Sequence, residues 1–224
     1  MPVSVVIPAL NEEEWIAGAV ASALEAGAAE VIVVDGGSGD RTARFATAAG
    51  ARVILSDPTR GRQLNRGAET ASNQSLIFLH ADSRLPPGAA AAVEDALTHG
   101  TRFGGFRIRF SEQARKLRIA EAMINVRSAI TGMPWGDQAQ FVARSTLLDS
   151  GGGGFRDIPI MEDYELAQRM RRAGPTRILP LSVTTSARRF LQKGLLRTTA
   201  LNWSIIVRYH LGVDPKKLAR AYRA

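Results

Sequence analysis

The 224-residue chain has no cysteine, which excludes a disulfide framework, a thiolate metal site and a cysteine nucleophile together. It also lacks the run of roughly 18 uncharged apolar residues that a bilayer-spanning helix needs. The nearest approach, residues 195–211, is interrupted by Arg197, Arg208 and His210. The opening residues carry no basic stretch ahead of their apolar run and do not read as a secretory signal, so a cytoplasmic location is expected. Acids are scarce towards the end: from Arg188 onward nine lysines and arginines stand against one acid, Asp214, within a net charge of +8. Such a tail suits an anionic neighbour, whether a diphosphate, an acidic lipid surface or nucleic acid, and equally suits a solvated helix face. No internal repeat or low-complexity linker interrupts the chain, so a single domain over residues 1–224 is expected.

What is present is an alternation of short β-branched runs with alanine-rich segments, the pattern of βα units around a mainly parallel sheet. Strands are expected at residues 3–7, 31–34, 52–55 and 76–79, mainly apolar instead of alternating, as befits strands covered by helices on both faces. Helices are expected at 13–26, 41–49 and 61–71, with a fourth opened by Pro86 and Pro87 and running through Leu97. Residues 103–110 alternate, which puts Phe106, Ile108 and Phe110 on one face of a strand and Arg107 and Arg109 on the other. Further helices are expected at 113–130 and 162–172, the latter ended by Gly174-Pro175, with a short strand at 140–143 and a flexible glycine loop over residues 151–154.

Ligands of open α/β sheets bind beyond the carboxyl ends of the strands, and here those ends are polar. Asn11, Glu12 and Glu13 follow the first strand, Asp35 and a glycine-rich loop the second, and His80-Ala81-Asp82 the fourth, so three strand ends offer carboxylates to one crevice. The loop Gly36-Gly37-Ser38-Gly39-Asp40-Arg41-Thr42 lacks the Gly-Lys-Ser/Thr ending of a nucleotide-triphosphate loop. It also lacks the third glycine of a dinucleotide fingerprint, where Thr42 stands, and the second glycine of a serine-hydrolase elbow, where Asp40 stands. A tight turn capped by Asp40 or Ser38 explains its glycines as well as phosphate binding does.

Four stretches in this order resemble the family 2 glycosyltransferases: Val3 through Pro8-Ala9-Leu10-Asn11-Glu12-Glu13; Asp35 with the loop just quoted; His80-Ala81-Asp82; and Met161-Glu162-Asp163-Tyr164-Glu165-Leu166. A fifth, Arg60-Gly61-Arg62-Gln63-Leu64-Asn65, is similar to a small single-domain bacterial subgroup of that family. The resemblance implies an inverting enzyme of the GT-A fold, with a nucleotide-sugar-binding half over residues 1–100 and an acceptor and catalytic half over 101–224. It implies contacts to the donor from Pro8, Ala9, Asn11, Glu12, Asp35, Gly37, Ser38, Gly61, Arg62, Asn65, His80, Ala81 and Asp82, with Arg188 clamping the diphosphate from the opposite side. UDP is the default nucleotide, with GDP or dTDP as alternatives. The family's Gln-x-x-Arg-Trp motif is absent, which argues for one sugar per encounter.

Chemistry supports the same roles. A departing nucleoside diphosphate is stabilised by a hard divalent cation, Mn²⁺ or Mg²⁺, held by carboxylate, and Asp82 is the residue expected to hold it. His80 replaces the first acid of the usual metal motif and is open to ligating the ion, bonding the ribose or packing at the strand end. An acceptor hydroxyl needs a base, and Asp163, in the first turn of a helix, is expected to serve, with Glu162 beside it. Gly104-Gly105-Phe106 and Trp135-Gly136-Asp137-Gln138 are expected to border the acceptor. The acceptor is a hydroxyl or carboxylate, lipid-linked or apolar in one reading, in which case residues 113–130 and 195–211 would meet its greasy part at a membrane surface. The rivals are a nucleotidyltransferase, opposed by the lack of a basic glycine loop after Ile7, and a nucleic-acid-binding module, opposed by the acids of the crevice.

Overall fold

The computed structural model describes residues 1–148 and 153–223, so the first two residues of the loop expected at 151–154 lie outside the described residues. Its centre is an eight-stranded sheet of order β3-β2-β1-β4-β7-β6-β8-β5. The first four strands, β1 (Val3–Ala9), β2 (Glu30–Asp35), β3 (Arg52–Leu55) and β4 (Ser75–Phe78), are mutually parallel. The strand β7 (Phe141–Ala143) runs antiparallel to both β4 and β6 (Phe103–Phe110). β6 then pairs in parallel with β8 (Thr176–Thr185), and the two-residue β5 (Ser83–Arg84) closes the edge. Two reversals restore the original direction, so β1 to β4, β6 and β8 all deliver their carboxyl ends to the same edge of the sheet.

The mainly apolar strands explain the two-sided core. Val5, Ile7, Val31, Val33, Ile77 and Leu79 pack on one face against α1 (Ile16–Glu25) and α4 (Ala89–Thr98). Val6, Ile32, Val34, Leu76 and Phe78 pack on the other against α3 (Arg60–Thr70) and α7 (Glu162–Ala173). Each such side chain contributes roughly 1.5–3 kcal/mol through burial. α3 lies so near the sheet that a Cβ on Gly67 would come within 2.3 Å of the Val6 side chain. β3 departs from the expectation of full cover: it is the edge strand, and Leu55 is 73% exposed.

Two helix starts differ from expectation. α1 begins at Ile16 because residues 12–15 form a turn closed by Trp15 N–H donating to the Glu12 carbonyl. α4 begins at Ala89, after Gly88 in a left-handed conformation at φ 76°, so the two prolines precede the helix. The remaining helices are α2 (Thr42–Ala48), α5 (Arg115–Thr131), α6 (Arg144–Leu148), α8 (Arg188–Lys193), α9 (Leu195–His210) and α10 (Pro215–Arg223). Ile205 and Ile206 of α9 and Leu218 of α10 pack on Met161, which brings the end of the chain over the start of α7. Among the described residues no helix is long and apolar enough to cross a membrane.

Candidate active site

At the shared edge, the ends of β1 and β2 are tied into one shelf. Asp35, buried at the end of β2, accepts from the Ser38 amide (2.9 Å) and hydroxyl (2.6 Å). The Asn11 amide donates to the Ser38 hydroxyl, and the Asn11 side-chain oxygen accepts from Gly39. Asp40 accepts from both the amide and the hydroxyl of Thr42 where α2 begins, the turn role its position suggested. Gly37 turns at φ 92° with open space beside it. Pro8 and Ala9 serve this shelf through the backbone: the Ala9 carbonyl accepts from Gly36 N–H and from the buried Gln63 side chain.

The next corner joins β1, β4 and β8. One guanidinium nitrogen of Arg188 lies 3.3 Å from Glu12 Oε1 and 3.3 Å from Asp82 Oδ2, so two strand-end carboxylates converge on one point. Burial and the nearby Asp82 raise the Glu12 pKa, with Arg188 acting in the opposite direction. His80 is half-buried, and desolvation, with Arg60 and Arg188 adding to it, holds its imidazole well below the ordinary histidine range. Its Nε2 faces the Arg60 guanidinium, so that lone pair is engaged by the protein itself. Ala81 is packed into the core. Among the described residues no three metal-ligating side chains form a ready-made cluster. Mg²⁺-type sites, however, commonly use one or two carboxylates with substrate phosphates completing the shell, and Asp82 with Glu12 fits that donor set.

Two cavities of roughly 380 and 480 Å³ share Arg60, His80, Trp135, Asp137, Arg189 and Tyr222 as a common wall. Asp82 and Arg188 line the first, Glu162 and Asp163 the second. Asp163 accepts from Gly136 N–H at 2.6 Å and from its neighbour Tyr164 N–H at 2.8 Å. A Cβ on Gly136 would stand 2.8 Å from the Asp163 carboxylate and 2.9 Å from His80 Nε2, so glycine there lets the β4 end and the α7 start meet. Glu162 is buried with its Oε1 3.1 Å from Arg60 Nε, and burial and Asp163 push its pKa up to about 7 against the pull of Arg60. The same causes, desolvation first, raise Asp137 to about 6, opposed by Arg127. Arg127 itself, stacked 3.5 Å above the Trp135 ring, is lowered to about 10 by burial.

Five buried polar atoms of these walls have no partner among the described residues: Arg60 Nε, Arg127 Nε, Trp135 Nε1, Asp137 Oδ1 and Asn202 Oδ1. Buried polar groups are ordinarily satisfied, and their concentration here marks walls made to bond a ligand. The contact of Arg60 Nε with Glu162 is therefore a meeting of charges without an aligned hydrogen bond.

Several expected residues stand elsewhere. Arg62 is held at the surface by Asp57 (2.6 Å) and Asp157 (2.7 Å) and lines neither cavity. Arg60 takes the cavity side because two residues of helix turn about 200°, which sends the two arginines to opposite faces. Gly61 and Asn65, one turn apart, pin the segment before α7: a Cβ on Gly61 would meet the Arg156 carbonyl at 2.4 Å, and Asn65 bonds both backbone groups of Phe155. Gly104 and Gly105 are likewise packing glycines, closed in by Phe141 and Pro134, and Phe106 is fully buried. Gln138 closes its turn by accepting from the Trp135 amide. Arg60 opens the segment expected near the donor and lines both cavities, whereas Arg127, Asn202 and Tyr222 were not singled out by the sequence. The one signal for Arg127 was a lone arginine amid apolar neighbours late in the 113–130 helix.

The profile of the family described as Glycosyl transferase family 2 matches residues 4–153. The chain is 33% identical over 100 residues to glycosyltransferase AglJ of Haloferax volcanii, a match covering 44% of this chain and 33% of that one, so it spans about a third of that relative's length. Glucosyl-3-phosphoglycerate synthase of M. tuberculosis has the same fold, with TM-score 0.59, 24% identity and coverage of 83% of this chain and 72% of the other. Structures of that synthase hold UDP with Mn²⁺ or with Mg²⁺. S. aureus TarS superposes with TM-score 0.62 at 17% identity over 84% of this chain and 37% of its own. The fold is the GT-A fold of these proteins.

Proposed function

Because the chain belongs to glycosyl transferase family 2, we propose that it moves one sugar, with inversion, from a nucleoside diphosphate sugar, UDP by default, to an acceptor hydroxyl or carboxylate. The observation that carries this reading is the common wall between a cavity bearing Asp82 and Arg188 and a cavity bearing Glu162 and Asp163. In it the first hundred residues bind the donor. The Asn11–Ser38–Asp35 shelf receives the nucleoside, and Arg188 and Arg60 approach the diphosphate from its two sides. Asp82, with Glu12, holds a divalent cation, which when bound supplies positive charge to the leaving oxygens. Asp163, fixed by two backbone N–H groups, takes the acceptor proton as that oxygen attacks the anomeric carbon. Support for UDP and the metal comes from the mycobacterial synthase structures that hold both.

A thermal-shift panel of nucleoside diphosphates with and without Mn²⁺ or Mg²⁺ tests this. UDP with metal is expected to raise the melting temperature by on the order of 5 °C at saturating ligand, and Asp82→Asn to lose the metal-dependent part. No shift with any nucleoside diphosphate counts against the reading.

A further inference from the structure

Most of the large apolar side chains left in solvent belong to α5, α9 and their surroundings. On α5, Ile119, Met123, Val126 and Ile130 are 52–78% exposed and recur every three or four residues, hence on one face. On α9, Leu196, Trp203 and Val207, with Leu211 just beyond, form a second stripe, 52–85% exposed. Monomer surfaces scatter such residues singly, and contiguous stripes mark an interface. Met123 and Trp203 also line the first cavity, so the two stripes meet at its mouth.

Charge selects the occupant. The only acid on either helix is Glu121, which is buried and bound to Arg118. Arg115, Lys116 and Arg197 are exposed around the stripes. A second copy would bring like charges together, whereas an anionic leaflet attracts basic residues beside an apolar face that includes an interfacial tryptophan. We infer that the α5 and α9 faces dock on an anionic lipid surface, with the mouth of the first cavity turned towards the bilayer. Inside that mouth Phe110, Ile124 and Phe190 form an apolar wall, suited to an acceptor with a hydrocarbon portion. This acceptor class rests on the glycosyl-transfer reading above, and the docking does not.

The test is co-sedimentation of the chain with vesicles of equal parts phosphatidylglycerol and phosphatidylcholine, beside phosphatidylcholine alone. Binding is expected to the anionic vesicles and to weaken with salt. Val126→Glu with Ile130→Glu should lower it by more than about tenfold, and Arg197→Ala by about fivefold, each with the UDP thermal shift unchanged. No binding by the unaltered chain, binding indifferent to these substitutions, or a dimer that the double substitution dissolves in place of vesicle binding would overturn the docking. Vesicle binding without any nucleotide shift would keep the docking and remove the acceptor assignment.

Discussion

Adjacent carboxylates can be given different tasks by their surroundings, and Glu162 and Asp163 are such a pair. Asp163 takes two backbone N–H groups and faces the second cavity. Glu162 is buried beside Asp163, and although Arg60 and a backbone hydrogen bond oppose the shift, its pKa rises from 4.5 to about 7. Between those two values the folded state binds more protons than the unfolded one, so stability falls as pH rises through the window. Glu162→Gln cannot ionise and should lose this slope. From pH 4.5 to 7 the melting temperature of the unaltered chain should drop relative to the variant by on the order of 5 °C. Parallel melting profiles would show that the burial cost has been misjudged.

At the scale of the element, α3 separates what residue type announces from what helix geometry decides. The family resemblance implies donor contacts from Gly61, Arg62 and Asn65, yet Gly61 and Asn65 grip the segment ahead of α7, and Gln63 clasps the carbonyls of Ala9 and Val34. The segment therefore shapes the site from behind. Only Arg60 faces the cavities. Arg60→Ala is expected to weaken UDP binding by about tenfold or more, while Arg62→Ala leaves it unchanged, both read by titration calorimetry. The reverse ranking would restore the diphosphate to Arg62. Which arginine turns inward depends on where the helix starts, and element boundaries are weakly encoded: α1 and α4 also begin two or three residues from their expected positions.

At the scale of the whole molecule, the parallel β1 to β4 core was legible because its strands are short, mainly apolar runs, three of them followed by polar residues. The acids at those ends were legible for the same reason. The second half was less so. The β7 reversal and the return of α9 and α10 over the start of α7 depend on long-range packing that no local pattern encodes. Asn202 and Tyr222 accordingly escaped notice, although both line the two cavities. Asp137 was expected only to border the acceptor, and its raised pKa, to about 6, comes from desolvation in the folded chain that no local pattern encodes.

What unites these levels is that Asp82, from a strand end, and Asp163, from a helix 81 positions later in the chain, flank one wall. Release of UDP from UDP-sugars, compared between the unaltered chain and Asp163→Asn, tests that union most directly. The account predicts a loss of about 10²–10⁴-fold in turnover with the UDP-induced thermal shift retained. Turnover close to that of the unaltered chain in the variant would contradict it.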